Sequence, residues 1–257
     1  MLVAAPPRAP DQSIRDLGIA LQRFKRIGST QTHAKKIAQT YARDRMLIVS
    51  ATQTASYGRM QRHWYSPVGG LWFSLILKPS VSPALFSPVT LLMGLVVAET
   101  IQQCVRNVSV SVKWPNDVLV NNKKICGILT EMQSEIDRVQ WSVIGVGINL
   151  NNSISNRLKP LATSLKEEGI APLAPLYVLD LVMHRFFTYY NRFLTTGFKP
   201  FKQSYQRLSS LIGKHVKLQI GKQNIQARVD GFDKNGGMII TKKDGSVDHI
   251  YTGEITG

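Results

Sequence analysis

Lys113-Trp114-Pro115-Asn116-Asp117 is followed shortly by Lys123-Lys124-Ile125-Cys126-Gly127-Ile128-Leu129, which packs three amines, one amide and one carboxylate into fewer than twenty residues. The residues around them are apolar and read as strands, and polar groups that dense in such a setting suit a surface that faces a ligand. Lys124 carries the clearest chemistry. A fixed ammonium between two anions offsets their repulsion, and electrostatic stabilisation of that kind is often the largest catalytic contribution. Lys123 beside it points to the opposite face of the strand. A lysine just after a hairpin turn also fits a plainly solvated side chain, so residue type alone leaves both readings open. Asn116 and Asp117 stand likewise: Pro115 bends the strand end, which lets them reach a site or close an Asx turn.

Ser29-Thr30-Gln31 and Gln53-Thr54 add uncharged donors and acceptors, which suit a neutral ligand offering both kinds of hydrogen-bonding group. A hydroxyl at Ser29 or Thr30 can equally cap the next helix, and the two roles are compatible. Gly127 permits close approach of backbone to a ligand, or marks a bulge, and Ile128 offers an apolar wall. Gly145-Val146-Gly147-Ile148-Asn149 is not a dinucleotide fingerprint, because no helix clearly follows it. The five histidines and the two cysteines, Cys104 and Cys126, show no metal-ligand spacing and no disulfide framework. A reducing cytoplasm is the natural location.

The elements that must position these groups follow from periodicity. Residues 21–27 predict a short strand, and the next helix carries Ala34, Ile37, Ala38 and Tyr41 on one stripe. Residues 46–52 and 71–77 predict strands separated by a polar loop, and Ser87-Pro88 opens a long helix to about Cys104. Val108, Val110, Val112 and Trp114 alternate as a half-buried strand, Asn121-Asn122 suits a two-residue hairpin turn, and residues 138–150 form a further strand. A long helix over 175–198 stops at Gly197. The expected class is α+β, a mixed and mostly antiparallel sheet with helices on one face. Beyond Leu208, short strands at 216–220, 225–232, 238–241 and 247–251 alternate with Gly- and Asp-rich turns and predict a small all-β barrel.

A length of 257 residues allows one sizeable domain and a small second one. The longest apolar stretch, 89–97, is too short for a bilayer span, and the first dozen residues read as a flexible leader. The net charge of +16 suits a polyanionic partner or nucleotide phosphate, or is bland proteome-wide basicity.

The phrase KWPND…KKICGIL closely resembles the signature of biotin protein ligases, over roughly residues 22–255 and including a C-terminal Asp248-His249-Ile250-Tyr251-Thr252-Gly253-Glu254. The resemblance implies a catalytic biotin/ATP-binding domain of the class II aminoacyl-tRNA synthetase-like type over 1–207. It implies an SH3-like β-barrel over 208–257. The implied reaction makes biotinyl-5′-AMP from biotin and ATP, with Mg²⁺, then transfers biotin to a lysine of a biotin carboxyl carrier domain of a biotin-dependent carboxylase. By the same resemblance Lys124 bridges the biotin carboxylate and the α-phosphate, and Arg59 is the second catalytic residue. Ser29, Thr30, Gln31, Gln53, Gly127 and Ile128 would hold biotin. Arg59, Arg62, Trp64, Asn116, Asp117 and Asn149 would hold ATP or the adenylate, Asp117 with Mg²⁺. Trp64 would stack on adenine or belong to the core.

The departures from the family pattern are local. Gln31 stands where Asn is usual, Ser56-Tyr57 where Gly-Arg is usual, and Gln61 where Gly is usual. Fewer glycines narrow the loop's choices and a missing arginine removes an anion contact. The expectation is a weaker hold on the adenylate. No helix-turn-helix-sized segment precedes the motifs, so the single-function type without an N-terminal DNA-binding domain is expected, with no sequence-specific DNA role and no membrane partner. Edge strands of the sheet could pair into a homodimer. Two alternatives remain: a lipoate- or octanoate-type acyl ligase, which KWPND and the C-terminal segment disfavour, and a non-catalytic biotin- or nucleic-acid-binding homologue, which Lys124 disfavours.

Overall fold

The computed structural model describes residues 9–40 and 43–256. Tyr41, expected on the first helix stripe, and most of the expected leader lie outside the described residues. A short helix α1 (Pro10–Asp16) leads into β1 (Ala20–Phe24), α2 (Thr30–Thr40) and β2 (Met46–Ser50). After a long loop come β3 (Leu71–Leu77), α3 (Pro83–Phe86) and α4 (Val89–Cys104). A meander follows: β4 (Val110–Lys113), β5 (Asp117–Val120), β6 (Lys123–Ser134) and β7 (Val139–Ile148). Helices α5 (Pro175–Thr196) and α6 (Lys202–Leu208) precede β8 (His215–Ile220), β9 (Gln223–Phe232), β10 (Met238–Lys242), β11 (Val247–Ile250) and β12 (Glu254–Ile255).

The first seven strands form one sheet in the order β1-β2-β3-β7-β6-β5-β4, in which only β1 and β2 are parallel. The last five form an antiparallel sheet in the order β11-β10-β9-β8-β12. This is the α+β class with a mixed, mostly antiparallel sheet. One expected feature differs: the helices do not share one face. Leu47, Val49, Phe73, Leu75, Ile144 and Val146 face the larger core with α4 and α5, while Met46, Ile48, Ile76 and Val143 face Ala34, Ile37 and Ala38 of α2. The cause is the central strand β3, buried at every position, which needs cover on both faces. The apolar stripe of α2 supplies that cover, and a stripe by itself does not say which face it will meet.

Helix α4 is apolar nearly all round, as a fully enclosed helix should be, and it sits in the larger core. Over Pro83–Cys104 this segment is long and apolar enough to span a bilayer by composition, so the shorter 89–97 count understated it, yet it is mostly buried inside the protein. The aromatics of α5 pack as core: Phe186 and Tyr190 stack at 5.3 Å, and Phe86 meets Phe193 edge-on at 6.2 Å. Gly197 ends α5 with φ of 63°. The C-terminal sheet contributes Val216, Leu218, Val229, Phe232 and Ile240 to the same core, joined through Tyr205 of α6, whose ring meets Phe232 edge-on at 5.0 Å.

Two local features aim the site. Asn121 and Asn122 both adopt positive φ, 48° and 65°, and join β5 to β6 as a two-residue hairpin. Just beyond, the pairing runs Leu119 to Lys124 and then Val118 to Cys126, so Ile125 is an extra residue on β6. This bulge inverts the alternation. Lys124 and Gly127 are an odd number of positions apart and would face opposite ways in a regular strand, yet the bulge brings them to one face.

Candidate active site

The open face of the central sheet carries a cleft of about 610 Å³ that gathers Ser29, Thr30, Gln31, Gln53, Arg59, Arg62, Trp64, Asn116, Asp117, Lys124, Gly127, Ile128 and Asn149. Every residue that the resemblance assigned to catalysis or binding therefore lines one cavity, whereas Thr54, offered beside Gln53, turns toward Ile27 O instead. Its floor is paved by glycines on neighbouring strands. Gly127 of β6 pairs with Gly147 of β7, and the Trp64 ring lies against both. A Cβ on Gly147 would stand 2.4 Å from Trp64 Nε1, and one on Gly145 would stand 2.5 Å from Gln31 Oε1. Trp64 thus forms a wall over the strands that carry Lys124. The indole N–H is buried and has no hydrogen-bond partner within the protein.

Lys124 enters this cleft through the bulge. Its Nζ lies 2.6 Å from Asp117 Oδ1 and 5.3 Å from the Trp64 ring centroid, and the side chain is 31% exposed. Its backbone bonds to an irregular segment opposite, N–H to Leu161 O and O from Thr163 N–H, both at 2.9 Å. Asn116 does not close an Asx turn. Its Nδ2 donates to Ile128 O at 3.0 Å, and Ile128 N–H donates back to Asn116 O at 2.9 Å. The β4–β5 turn is thereby stapled to β6, with Asn116 Oδ1 left toward Arg59 Nη1 at 3.4 Å. Asn149 at the end of β7 is buried, and its Oδ1 accepts from Asn152 Nδ2 at 3.1 Å.

The opposite end is neutral and mutually bonded. Gln53 Oε1 accepts from Thr30 N–H at 2.7 Å and Thr30 Oγ1 at 3.1 Å, while Gln53 Nε2 donates to Ser66 Oγ at 3.0 Å. Ser74 Oγ reaches Thr30 Oγ1 at 2.9 Å and Gln31 Oε1 at 3.1 Å. Ser29 caps α2, accepting from Thr32 N–H at 3.3 Å, so the capping reading holds for it. Such a fixed array of hydroxyls and amides can recognise a neutral polar ring without the cost of desolvating a charge.

Between these ends, residues 56–64 form a small hairpin over the cleft. Trp64 N–H bonds Ser56 O at 3.0 Å, Gly58 N–H bonds Arg62 O at 2.8 Å, and Tyr57 bridges His63. The tip reaches the C-terminal sheet: Arg59 Nη2 donates to Gly253 O at 2.8 Å and Arg62 pairs with Glu254 through both guanidinium nitrogens. The Arg62 guanidinium holds the Glu254 carboxyl below its ordinary range. Gln61, where glycine was expected, sits at φ of 57°. That left-handed conformation is costly for a side chain and free for glycine. Gln61→Gly should therefore leave the hairpin intact and move stability by no more than about 1 kcal/mol, a gain in this conformation offset by a freer unfolded chain; chemical denaturation reads it, and a large loss would contradict the strained geometry.

Sequence reasoning missed several lining groups. Ser74 was visible as the lone hydroxyl in the run LWFSLIL; Glu131, a charge in β6 just past the motif, bonds the lining residues Gln31 and Tyr57. The segment with Asn152, Ile154, Ser155, Leu158 and Leu161 lines the cleft from irregular structure, and no periodic signal marks it. Burial pushes the Cys126 thiol up, away from its reactive thiolate, so a cysteine inside the motif serves as packing. Among the described residues no cluster of three or more His, Cys, Asp or Glu could cage a metal. Of the two carboxylates lining the cleft, Glu254 is paired with Arg62, and Asp117 lies beside Lys124. One carboxylate plus phosphate oxygens is the usual way Mg²⁺ arrives with a nucleotide, so the donor set fits that ion only together with ATP.

Comparison with known proteins gives a consistent result. Residues 23–149 match the Biotin/lipoate A/B protein ligase family. The bifunctional ligase/repressor BirA of Bacillus subtilis is 34% identical over 233 residues, 89% of this chain and 71% of that protein. The biotin–[acetyl-CoA-carboxylase] ligase of Paracoccus denitrificans is 26% identical over 84% of this chain and 91% of that protein. Among solved structures, the biotin protein ligase of Aquifex aeolicus in complex with biotin and ATP superposes with a TM-score of 0.80 at 30% identity, covering 92% of this chain and 97% of that one.

Proposed function

Because this chain belongs to the biotin protein ligases of the biotin/lipoate A/B family, we propose that its glycine-floored cleft activates biotin and transfers it to protein. The enzyme binds biotin and ATP, forms biotinyl-5′-AMP and passes biotin to a carrier lysine of a biotin-dependent carboxylase. In the first half-reaction a biotin carboxylate oxygen bonds to the α-phosphorus while the bond to the leaving pyrophosphate breaks. In the second, the carrier lysine amine attacks the adenylate carbonyl, AMP departs and the amine loses its proton. The observation that carries this reading is the juxtaposition, in one cleft, of a neutral hydrogen-bonding end at Thr30, Gln31, Gln53 and Ser74 with a charged end at Lys124, Asp117 and Arg59.

Residue roles follow from that polarity. The neutral end takes the ureido ring, with Ser29 as the cap that orders α2, and Trp64 and Gly127 wall the fused rings; the Ile128 side chain, expected there, packs instead toward Gly94 of α4 on the other face of the sheet, because neighbouring strand residues alternate. Lys124 lies where carboxylate and α-phosphate meet and neutralises both. Arg59 and Arg62 reach phosphate oxygens, a role guanidinium geometry favours. Asn116 and Asn149 bound the nucleotide side. Asp117 would hold Mg²⁺ with the ATP phosphates, and the ion when bound would supply charge neutralisation there. No covalent enzyme intermediate is required, since positioning and electrostatics suffice. Residues 1–207 act as the catalytic domain and 208–257 as a small domain that meets the arginine hairpin through Gly253 and Glu254. A cytoplasmic setting suits the carrier substrate, and a basic surface would steer an acidic carrier.

The test is ATP–pyrophosphate exchange with biotin and, separately, with lipoate. Exchange that depends on biotin and is absent with lipoate is expected. Exchange with lipoate alone would move the chain to the acyl ligases, and none with either would leave a binding protein.

A further inference from the structure

Glu131 lies outside every motif, just past Ile128 on β6, and side chains from two other segments converge on it. Gln31 Nε2 donates to its Oε2 at 2.9 Å, Lys35 Nζ lies 2.6 Å from its Oε1, and the Tyr57 hydroxyl donates to Oε2 at 3.2 Å. Gln31 and Lys35 come from α2, and Tyr57 comes from the arginine hairpin. The carboxylate is 26% exposed, so it is partly withdrawn from water, and hydrogen bonds to a charged acceptor are stronger than neutral ones. Glu131 holds the Lys35 ammonium above its ordinary range. Burial first, then the Glu131 charge, pushes the Tyr57 phenol up, so it stays protonated as a donor at neutral pH.

Read from sequence, Ser56-Tyr57 is a loss of Gly-Arg. In the structure both residues are bonded. Ser56 Oγ donates to Trp64 O at 2.6 Å and lies 2.8 Å from Ser66 Oγ, while Tyr57 ties the hairpin's other edge to β6. The hairpin is thus held at its tip by the C-terminal sheet and at its base by Glu131. The same carboxylate fixes the Gln31 amide, whose Oε1 is braced by Ser74 at the cleft floor.

Resting on the biotinyl-adenylate reading above, we propose that Glu131 is a positioning residue: through Tyr57 it pins the base of the arginine hairpin over the cleft, and this contact governs how fast the adenylate escapes. Tyr57 then acts as an anchor in place of the usual arginine. Glu131 itself touches no reacting atom.

The experiment loads the whole chain with preformed biotinyl-AMP and follows its release by chase with excess biotin. Tyr57→Phe removes only the hydroxyl and should speed release about tenfold, the scale of one hydrogen bond to a charged acceptor. Glu131→Gln should act in the same direction, and the double variant should release no faster than Glu131→Gln alone, because both changes remove one contact. Tyr57→Arg, whose guanidinium can pair with the same carboxylate, should return release toward wild type. Biotin affinity should change less than adenylate release, a split that general loosening of the fold would not give. Wild type that fails to retain biotinyl-AMP overturns the ligase reading and this role with it. Wild type that retains it, with Tyr57→Phe releasing at the same rate or with additive effects in the double variant, overturns the positioning role alone.

Discussion

Replacing Lys124 by alanine is expected to lower biotin-dependent ATP–pyrophosphate exchange by about 10²–10³-fold, the range seen when one preorganised electrostatic donor is removed from an active site. The bulge at Ile125 turns this lysine onto the cleft face, and its Nζ meets Asp117 Oδ1 at 2.6 Å. Without the ammonium, Asp117 stays as an unneutralised carboxylate beside the point where, on the proposed reading, a second carboxylate and a phosphate come together. The transition state then gathers three negative groups without the one ammonium paired to Asp117, leaving the guanidiniums of Arg59 and Arg62 as the cations of the cleft. Stability should change little, because the side chain is partly exposed and the strand's own bonds to Leu161 and Thr163 are made by backbone. Exchange rate and thermal melting measured side by side check this. A variant with near-normal exchange would remove Lys124 from the chemistry.

Gly147→Ala should lower biotin affinity by about 10–100-fold, which corresponds to the roughly 1–3 kcal/mol that overpacking costs. The added methyl would stand 2.4 Å from Trp64 Nε1 and 2.8 Å from its Cε2. An indole is rigid and cannot fold its edge away as a lysine end can. Its far edge already rests over Gly127, where a Cβ would be 3.0 Å from Cζ3, so the ring must lift into the cleft. Calorimetric titration with biotin reads the loss directly. Pairing the change with Trp64→Ala should restore part of the affinity if the clash is the cause. Unchanged affinity in Gly147→Ala would mean the Trp64 wall is not part of the biotin site.

Much of the site was legible because its signals are local. A Pro-Asn-Asp after an alternating strand, Asn-Asn between two strands, and Gly-Val-Gly at a strand end each announce a turn or a close approach within a few residues. The expected members all line one cavity for that reason. The misses share the opposite property. Glu131 became meaningful only when α2, β6 and the hairpin met, and the lining residues between 152 and 161 belong to irregular structure joined to β6 by the Lys124 N–H to Leu161 O bond.

The sequence by itself determined the longer strand and helix segments, though not the short helices α1, α3 and α6, and with them the class of fold and the polar set from which the cleft is built, since these depend on periodicity, turn chemistry and residue type along short stretches. Only the tertiary structure decided which face α2 covers, that Ile125 bulges and so delivers Lys124 to the side of Gly127, and that Arg59 bonds Gly253 across the whole chain. Those outcomes depend on register and on contacts between distant segments. A one-residue slip reverses which face a side chain meets, and that choice is made by the packing of the whole sheet.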